Sequence, residues 1–207
     1  MGSNQPGPIY LPSPSKKGSI SLEEAVAQRR SIRDFTPEPI SCSQLSQILW
    51  AAGGLSDTSS RLRTVPSAGA TYPLEIFVVC GKNSIERIDE GIYHYNVDSH
   101  SLILHHKGDA RLALARAALD ESSICQAPVA LVICAEYERT LAIYDRRGER
   151  YVHMEVGHAG QNIYLQTTAL SLATVAIGAF HDEQVRQVLR LDKRYKPLYI
   201  MPLGKPA

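Results

Sequence analysis

Apolar residues along the chain recur at two spacings, one typical of helices and one typical of strands. The longest helical pattern covers residues 150–172, where apolar side chains recur every three or four positions from Val152 to Leu170. We interpret this segment as the central core helix. Gly157 and Gly160 on it would let another backbone come close, so it is also a candidate subunit contact.

Two capping boxes predict where the first helices begin. Residues 21–24 read Ser-Leu-Glu-Glu, so a helix should start at Leu22 and end near Arg29. Residues 41–44 read Ser-Cys-Ser-Gln and open a second helix, which the glycine pair at 53–54 closes. Further helical patterns cover residues 109–119 and 182–191.

Continuous apolar runs and alternating segments predict the strands. The runs at 75–80 and 129–135 are typical of buried strands, and the alternating segments at 92–96 and 101–106 predict a hairpin. Two further strands are expected at 173–179 and 198–203, whereas the polar residues 55–65 indicate a loop. Helices thus alternate with strands and one hairpin, which indicates an α+β (α/β layered) domain.

The composition fits one globular domain preceded by an arm. The chain has 207 residues, of which 44% are hydrophobic. Residues 1–19 are rich in Pro, Gly, Ser and Asn, so we expect a flexible N-terminal arm there and a single domain over residues 20–207. Residues 9–12 are apolar enough to dock on another surface.

Charge, cysteines and histidines exclude several function classes. The net charge of +1 gives no general attraction to nucleic acid or to an anionic membrane, and residues 127–135, the longest apolar run, are too short to span a bilayer. The four cysteines show no CxxC spacing, which favours a reduced, cytoplasmic protein without a secretory signal. The seven histidines show no ligand spacing, so no metal site is expected.

Three arginines and a serine lie together at residues 29–33. If this segment is extended, Arg29, Ser31 and Arg33 point to one side, and Arg30 and Ile32 to the other. Two guanidinium groups and a hydroxyl on one side form a good receptor for a phosphate dianion. The alternative is a solvated basic helix end, where cations complement the helix dipole.

Small residues flanked by prolines follow at residues 66–73, which read Pro-Ser-Ala-Gly-Ala-Thr-Tyr-Pro. Small side chains would let the backbone approach a ligand closely, and the prolines would stiffen the segment. The alternative is an ordinary loop with a capping serine.

Four motifs in order resemble the nitroreductase family of flavoproteins. They read RRSIRDF, PSAGATYPLEIFVV, AIGAF and MPLGKP, and the resemblance extends from about Ile9 to Pro206. The chain looks most like the SagB-type dehydrogenase branch of that family. The resemblance implies a nitroreductase-like FMN-binding fold, with a central mixed sheet flanked by helices, and a homodimer with FMN at the subunit interface.

The resemblance also implies which residues hold the cofactor. The arginine motif would bind the FMN phosphate and ribityl chain, with help from a C-terminal lysine. The PSAG segment would lie near the isoalloxazine ring from the other subunit. A backbone N–H of the AIGAF loop would donate to flavin N5, where hydride arrives and leaves. The implied cofactor-binding residues are Arg29, Arg30, Ser31, Arg33, Pro66, Ser67, Ala68, Gly69, Ile177, Gly178, Ala179 and Lys205.

Two positions depart from patterns known in the family. Many simple nitroreductases have an asparagine where this chain has Ala70, as expected for the SagB-like branch. Azoline oxidases of that branch share a Lys-Tyr pair, to which the nearest match is Ile143 and Tyr144. Isoleucine cannot act as a base, so Tyr144 is the candidate catalytic residue, to orient substrate or donate a proton. The alternative is a tyrosine on a helix face.

The sequence leaves four functions open. The first is an FMN-dependent oxidoreductase that takes hydride from NADH or NADPH and passes it to a small electron-poor acceptor, such as a nitroaromatic or a quinone. The second is a SagB-type dehydrogenase acting on a peptide or heterocycle. The third is a non-catalytic flavin- or nucleotide-binding module, and the fourth is a structural domain without flavin.

Overall fold

A seven-stranded sheet forms the centre of the protein in the computed structural model, which describes residues 7–207. Its strands occur in the order β1-β6-β5-β4-β7-β9-β8, and β2 and β3 form a separate hairpin. The strands are β1 Ile9–Tyr10, β2 Leu55–Asp57, β3 Leu62–Arg63, β4 Leu74–Cys80, β5 Gly91–Asn96, β6 Ser101–Lys107, β7 Val129–Glu136, β8 Ala173–Thr174 and β9 Tyr195–Gly204.

Within residues 7–207, seven α-helices flank this sheet, so the predicted α+β class is confirmed. The pairings between the strands are antiparallel, and a parallel contact is the isolated bridge between Ile40 and Ile85. The helices are α1 Leu22–Gln28, α2 Cys42–Gly53, α3 Arg111–Ala117, α4 Ser123–Gln126, α5 Glu138–Tyr144, α6 Arg147–Ala169 and α7 Asp182–Val188. Both predicted capping boxes form, at Ser21 and at Ser41.

The central strands β4 and β7 are covered on both faces. Val78 and Leu131 belong to the core beneath α2 and α6, whereas their neighbours Val79 and Val132 belong to the core beneath α3 and α7. Successive side chains of a strand point to opposite faces, so a strand covered on both sides is apolar throughout. This explains the two unbroken apolar runs in the sequence.

Four segments differ from the prediction. Residues 55–65 form the β2–β3 hairpin, where Asp57 accepts hydrogen bonds from Ser59 and Ser60 and so stabilises the turn. The strand expected at 173–179 shortens to β8, because the chain leaves the sheet after Thr174 and returns only at the Ile177–Ile200 bridge. Helices α4 and α5 were not predicted from the sequence.

The predicted N-terminal arm lies partly on the chain's own sheet. Ile9 and Tyr10 pair with Leu102 and Ser101 of β6, and Leu11 is buried. Within the described part of the arm, residues 9–11 therefore pack on the edge of the chain's own sheet. Residues 1–6 of the arm lie outside the described residues.

Within residues 7–207, no helix is both long and apolar enough to cross a bilayer. The same part of the chain contains no group of three or more His, Cys, Asp or Glu side chains that could hold a metal ion. All four cysteines are free thiols.

Candidate functional site

The arginine motif passes between two segments that come from the far end of the chain. The Ile32 amide donates to the Thr174 carbonyl at 3.0 Å, and the Thr36 amide donates to the Lys205 carbonyl at 3.0 Å. These bonds place the motif beside the end of β8 and beside the C-terminal residues. Segments more than 130 residues apart in the sequence therefore border one another.

Side chains of the motif alternate in direction over its first four residues. The Arg29 guanidinium lies over the Tyr164 ring, 5.2 Å from its centroid, and Ser31 Oγ lies 2.9 Å from the Tyr164 hydroxyl. Arg30 turns back and donates to the backbone carbonyls of Ala27 and Arg29, while Ile32 packs into an apolar cluster. Arg29 and Ser31 thus share one side, and Arg30 satisfies the end of α1 instead.

The hydroxyl of Tyr164 connects the arginine motif to the AIGAF segment. It accepts a hydrogen bond from the Ala176 amide at 2.7 Å and lies beside Ser31 Oγ at 2.9 Å. Tyr164 is on α6, next to the core residue Ile163. Tyr164 was not among the predicted site residues, since nothing local distinguishes it from an ordinary core tyrosine.

Gly178 and Ala179 present the amides of the AIGAF loop. Ile177 is tied to the sheet, because its amide donates to the Ile200 carbonyl at 2.9 Å and its carbonyl accepts from Ile200 at 3.0 Å. Gly178 and Ala179 are exposed, and neither amide donates to another group in the described structure. The loop lies near the Tyr199 ring, which is 3.7 Å from where a Cβ on Gly178 would be. Of the three predicted loop residues, these two have amides that could serve a ligand.

The PSAG segment is held in a compact turn. Ser67 Oγ accepts a hydrogen bond from the Tyr72 amide at 2.9 Å, and residues 68–70 form one 3-10 turn. Gly69 has φ of 59°, a left-handed conformation that glycine adopts without strain. Thr71 Oγ1 bonds Thr140 Oγ1 of α5 at 2.8 Å. The segment is thus an ordered surface turn fixed to α5, with Pro66 exposed at its start.

Tyr144 lies directly against this turn. It is the last residue of α5, and a Cβ built on Gly69 would come within 2.9 Å of its hydroxyl oxygen. The edge of its ring meets Tyr151, with the two centroids 5.1 Å apart. The candidate catalytic tyrosine and the glycine of the predicted ring-contacting segment are therefore neighbours, and a side chain at residue 69 would displace Tyr144 from this position.

The glutamate of the PLE sequence fixes α5 to the sheet. Glu75 Oε1 accepts from Arg139 at 2.6 Å, and Glu75 Oε2 lies 2.7 Å from His94 Nε2. Arg139 also donates to the Tyr72 carbonyl at 2.9 Å. Burial opposes ionisation of Glu75, but the hydrogen bonds with His94 and Arg139 outweigh it and lower the pKa of the carboxyl. This network holds the helix that carries Tyr144.

A buried glutamate lies beneath the PSAG turn. Glu155 of α6 is 5% exposed, and burial raises its pKa to about 7, although a hydrogen bond with Ser67 and the Arg63 charge act in the opposite direction. Glu155, Arg63 and Tyr72 line an internal cavity of about 20 Å³. A polar cavity of this size can hold about one water molecule. The sequence analysis placed no titratable group here.

Several predicted site residues remain apart within one chain. Lys205 forms an ion pair with Glu38, and only its backbone meets the arginine motif, through Thr36. Arg33 is exposed and forms no ion pair with the described residues. No hydrogen bond or ion pair in the described structure joins residues 66–69 to residues 29–33 or 177–179. Within one subunit, the described residues therefore show no polar contact between the two halves of the predicted site.

Comparisons with known proteins agree over nearly the whole chain. Residues 26–205 match the sequence profile described as the nitroreductase family. A Methanocaldococcus jannaschii protein, MJ1384, whose name places it among nitroreductases, is 46% identical over 186 residues, which cover 90% of this chain and 91% of that protein. The microcin B17-processing protein McbC of Escherichia coli is 28% identical, over 95% of this chain and 75% of McbC.

Solved structures share the fold. A structure from Ralstonia eutropha JMP134, described as a nitroreductase, superposes with a TM-score of 0.85 at 24% identity and covers 100% of this chain and 92% of its own. A chain of the E. coli microcin synthetase McbBCD complex, with truncated pro-MccB17 bound, gives a TM-score of 0.77 at 26% identity. That match covers 99% of this chain and 79% of the other.

Proposed function

The chain belongs to the nitroreductase family of oxidoreductases, and on that premise we propose that it is FMN-dependent and takes its electrons from NADH or NADPH. The acceptor is a small electron-poor molecule such as a nitroaromatic or a quinone. The observation that carries the proposal is the contact of Arg29, Ser31 and the AIGAF loop around Tyr164. This contact sets a phosphate-binding motif beside exposed backbone donors.

The described residues fit both parts of FMN, namely the phosphate with its ribityl chain and the isoalloxazine ring. Arg29 and Ser31 share one side of an extended segment, and exposed Arg33, two residues after Ser31, is expected on the same side. These three residues would hold the phosphate and ribityl chain. The exposed amides of Gly178 and Ala179 are donors without a partner in the described structure, as a ring-nitrogen acceptor would require. When bound, FMN supplies a ring that accepts a hydride from the donor and delivers it to the acceptor.

The roles of the chain's own residues follow from these positions. A fixed amide at residue 178 or 179 would orient the ring of bound FMN and stabilise charge at the ring atom that it faces, because the loop is tied to β9 at Ile177. Tyr144 lies beside Gly69 and would orient the acceptor or donate a proton to it. Ile143 is 60% exposed and has no titratable group, so a base at that position is ruled out.

A homodimer completes the proposed site. The PSAG turn forms no hydrogen bond or ion pair with the arginine motif in the described part of one chain, and a second copy would bring it to the flavin. Apolar side chains are available for the contact, since Leu22 and Val26 of α1 are 65% and 54% exposed and Met154 of α6 is 52% exposed. Gly157 of α6 has no atom within 4 Å of where its Cβ would be, which leaves room for a partner helix.

The second candidate is a SagB-type dehydrogenase that acts on a peptide or heterocycle. Similarity to McbC, which by its name processes microcin B17, favours this candidate. The Ile143–Tyr144 pair counts against azoline oxidation, since the base of the Lys-Tyr pair is missing. A non-catalytic FMN-binding module is the third candidate. For all three we propose a cytoplasmic location, which four free thiols support.

The visible absorption spectrum of the purified protein tests the function. We expect a yellow flavin spectrum that bleaches under anaerobic conditions with NADH or NADPH and returns when a quinone is added. A flavin spectrum that neither donor bleaches would favour the dehydrogenase or the binding module. Absence of flavin after soaking with FMN would contradict the proposal.

Sedimentation tests the dimer. The flavin-loaded protein is expected to sediment at about twice the mass of one chain, because each site needs residues from two copies. Replacing Leu22 and Val26 by serine should shift the protein toward monomer and lower its FMN content in parallel, since the loss of apolar contact weakens association. The same double replacement at exposed Leu112 and Leu119, outside the proposed interface, is the control. A flavin-loaded monomer would contradict the dimer.

A further inference from the structure

Three exposed arginines at the start of α6 have no carboxylate partner. Arg146, Arg147 and Arg150, which we call the α6 basic patch, are exposed and form no ion pair with any residue in the described part of the chain. In contrast, Arg61, Arg111, Arg139 and Arg186 each lie within 3 Å of a carboxylate oxygen. The patch is therefore a concentration of unneutralised positive charge.

Helical spacing directs this charge to one face. Arg147, Arg150 and Tyr151 occupy positions i, i+3 and i+4, which lie together on a helix surface. The Arg147 guanidinium lies 6.0 Å from the centroid of the Tyr151 ring. Glu149 lies about 160° around the helix from Arg147 and forms no ion pair with the three arginines in the described structure. Asp145 lies directly before Arg146 in the sequence, and it also forms no ion pair with these arginines in the described structure.

The α6 basic patch adjoins the proposed active site. The Tyr151 ring meets Tyr144 at 5.1 Å between centroids, and Tyr144 in turn lies against Gly69 of the PSAG turn. Two aromatic side chains thus connect the patch to the segment expected beside the flavin ring. A ligand that reaches from the patch to the flavin would pass over these two tyrosines.

We propose that the α6 basic patch binds the 2′-phosphate of NADPH and makes NADPH the preferred electron donor over NADH. The inference rests on the proposed function, because it names the donor used by that same site. A phosphate monoester dianion is the group that distinguishes the two donors, and arginine binds it with paired, charge-assisted donors. The patch covers about one helical turn, which fits a single phosphate better than an extended acidic peptide.

A second phosphate source is FMN itself, and the experiment separates the two. The test variant is Arg147→Gln plus Arg150→Gln, and the matched control is Arg116→Gln plus Arg190→Gln, which removes two exposed arginines elsewhere. Flavin-loaded proteins are titrated calorimetrically with 2′,5′-ADP and with 5′-AMP. KM is then measured for NADPH and for NADH, and FMN content is read from the visible spectrum.

We expect the test variant to bind 2′,5′-ADP roughly tenfold more weakly, since charge-assisted bonds are lost, and to show a similar rise in KM for NADPH. Binding of 5′-AMP, KM for NADH and FMN content should change little, and the control should match the wild type. Wild-type protein that binds both nucleotides equally would overturn the proposal. Loss of FMN from the test variant would also overturn it, because the patch would then serve the flavin phosphate.

Failure of the proposed function would look different. If neither nicotinamide bleaches the flavin, while 2′,5′-ADP still binds wild-type protein more tightly than the test variant, the patch is supported as a phosphate site and the reductase is not. If both nicotinamides bleach the flavin equally well in wild type and test variant, the reductase is supported and the patch is overturned.

Discussion

Replacing Arg29 and Arg33 by alanine is expected to give a folded protein that has lost most of its FMN. Both side chains are largely outside the core, so their removal should change the melting temperature little. Each charge-assisted bond to a phosphate contributes roughly 1.5–3 kcal/mol, so loss of two such residues should weaken FMN binding by about a hundredfold or more. The ratio of flavin to protein absorbance after gel filtration measures the effect.

Arg30→Ala is the informative comparison for this prediction. Its guanidinium donates to the carbonyls of Ala27 and Arg29 at the end of α1, so it faces away from the side shared by Arg29 and Ser31. The single variant should therefore retain far more FMN than the double variant, with a small loss of stability at the helix end. Full FMN content in the Arg29 and Arg33 double variant would remove the phosphate assignment.

Glu155→Gln is expected to stabilise the protein above pH 7 and to flatten its stability profile between pH 5 and 7. Burial raises the pKa of Glu155 from 4.5 to about 7. Between these values the folded protein binds a proton that the unfolded chain has released, so stability falls as pH rises. Above pH 7 the buried, ionised carboxylate therefore lowers the free energy of unfolding by about 2–3 kcal/mol. Glutamine avoids this loss and can still accept the hydrogen bond from Ser67.

Urea unfolding at fixed protein concentration, from pH 5 to pH 8, measures this effect. The two proteins should have similar stability at pH 5, where Glu155 is protonated, and diverge as pH rises. Glu149→Gln, an exposed glutamate on the same helix, is the control and should leave the profile unchanged. Parallel profiles for wild type and Glu155→Gln would show that the carboxyl ionises freely in the folded state.

Local chemistry made much of the fold predictable. The capping boxes at Ser21 and Ser41 carry their own start signals, and both helices begin where those signals place them. The strands β4 and β7 were predictable because burial on both faces leaves only apolar residues at 76–80 and at 129–135. The family resemblance, including its SagB-type branch, is confirmed by the match over residues 26–205 and by relatives such as McbC.

Other features depend on contacts that no local pattern reveals. Helix α5 begins with Glu138 and Arg139 and shows little apolar periodicity. It is held instead by the hydrogen bond from Arg139 to Glu75, 64 residues away in the sequence. Residues 175–179 have the composition of a strand, yet the Ala176 amide bonds the Tyr164 hydroxyl rather than a neighbouring strand. These long-range bonds override local propensity.

The candidate site was predictable only as separate motifs. The alternating side-chain directions from Arg29 to Ile32 were predictable, because successive side chains of any extended segment point to opposite sides whatever the surrounding fold. In contrast, Tyr164 and Glu155 lie on α6 among core residues and gain their roles from Ser31, Ala176 and Ser67. The roles of the predicted cofactor residues and of Tyr144 remain predictions for the experiments above.

The pairing of Ile9 and Tyr10 with β6 also guards the protein against self-association through its sheet. An uncovered outer strand offers a row of free amides and carbonyls on which another chain can extend the sheet. Here β1 covers the start of β6 at Ser101 and Leu102, and the rest of that strand ends in the polar run His105, His106 and Lys107. Removing the first twelve residues would therefore expose β6 as an unpaired edge strand, so a shortened protein should be prone to aggregation even with an intact flavin site.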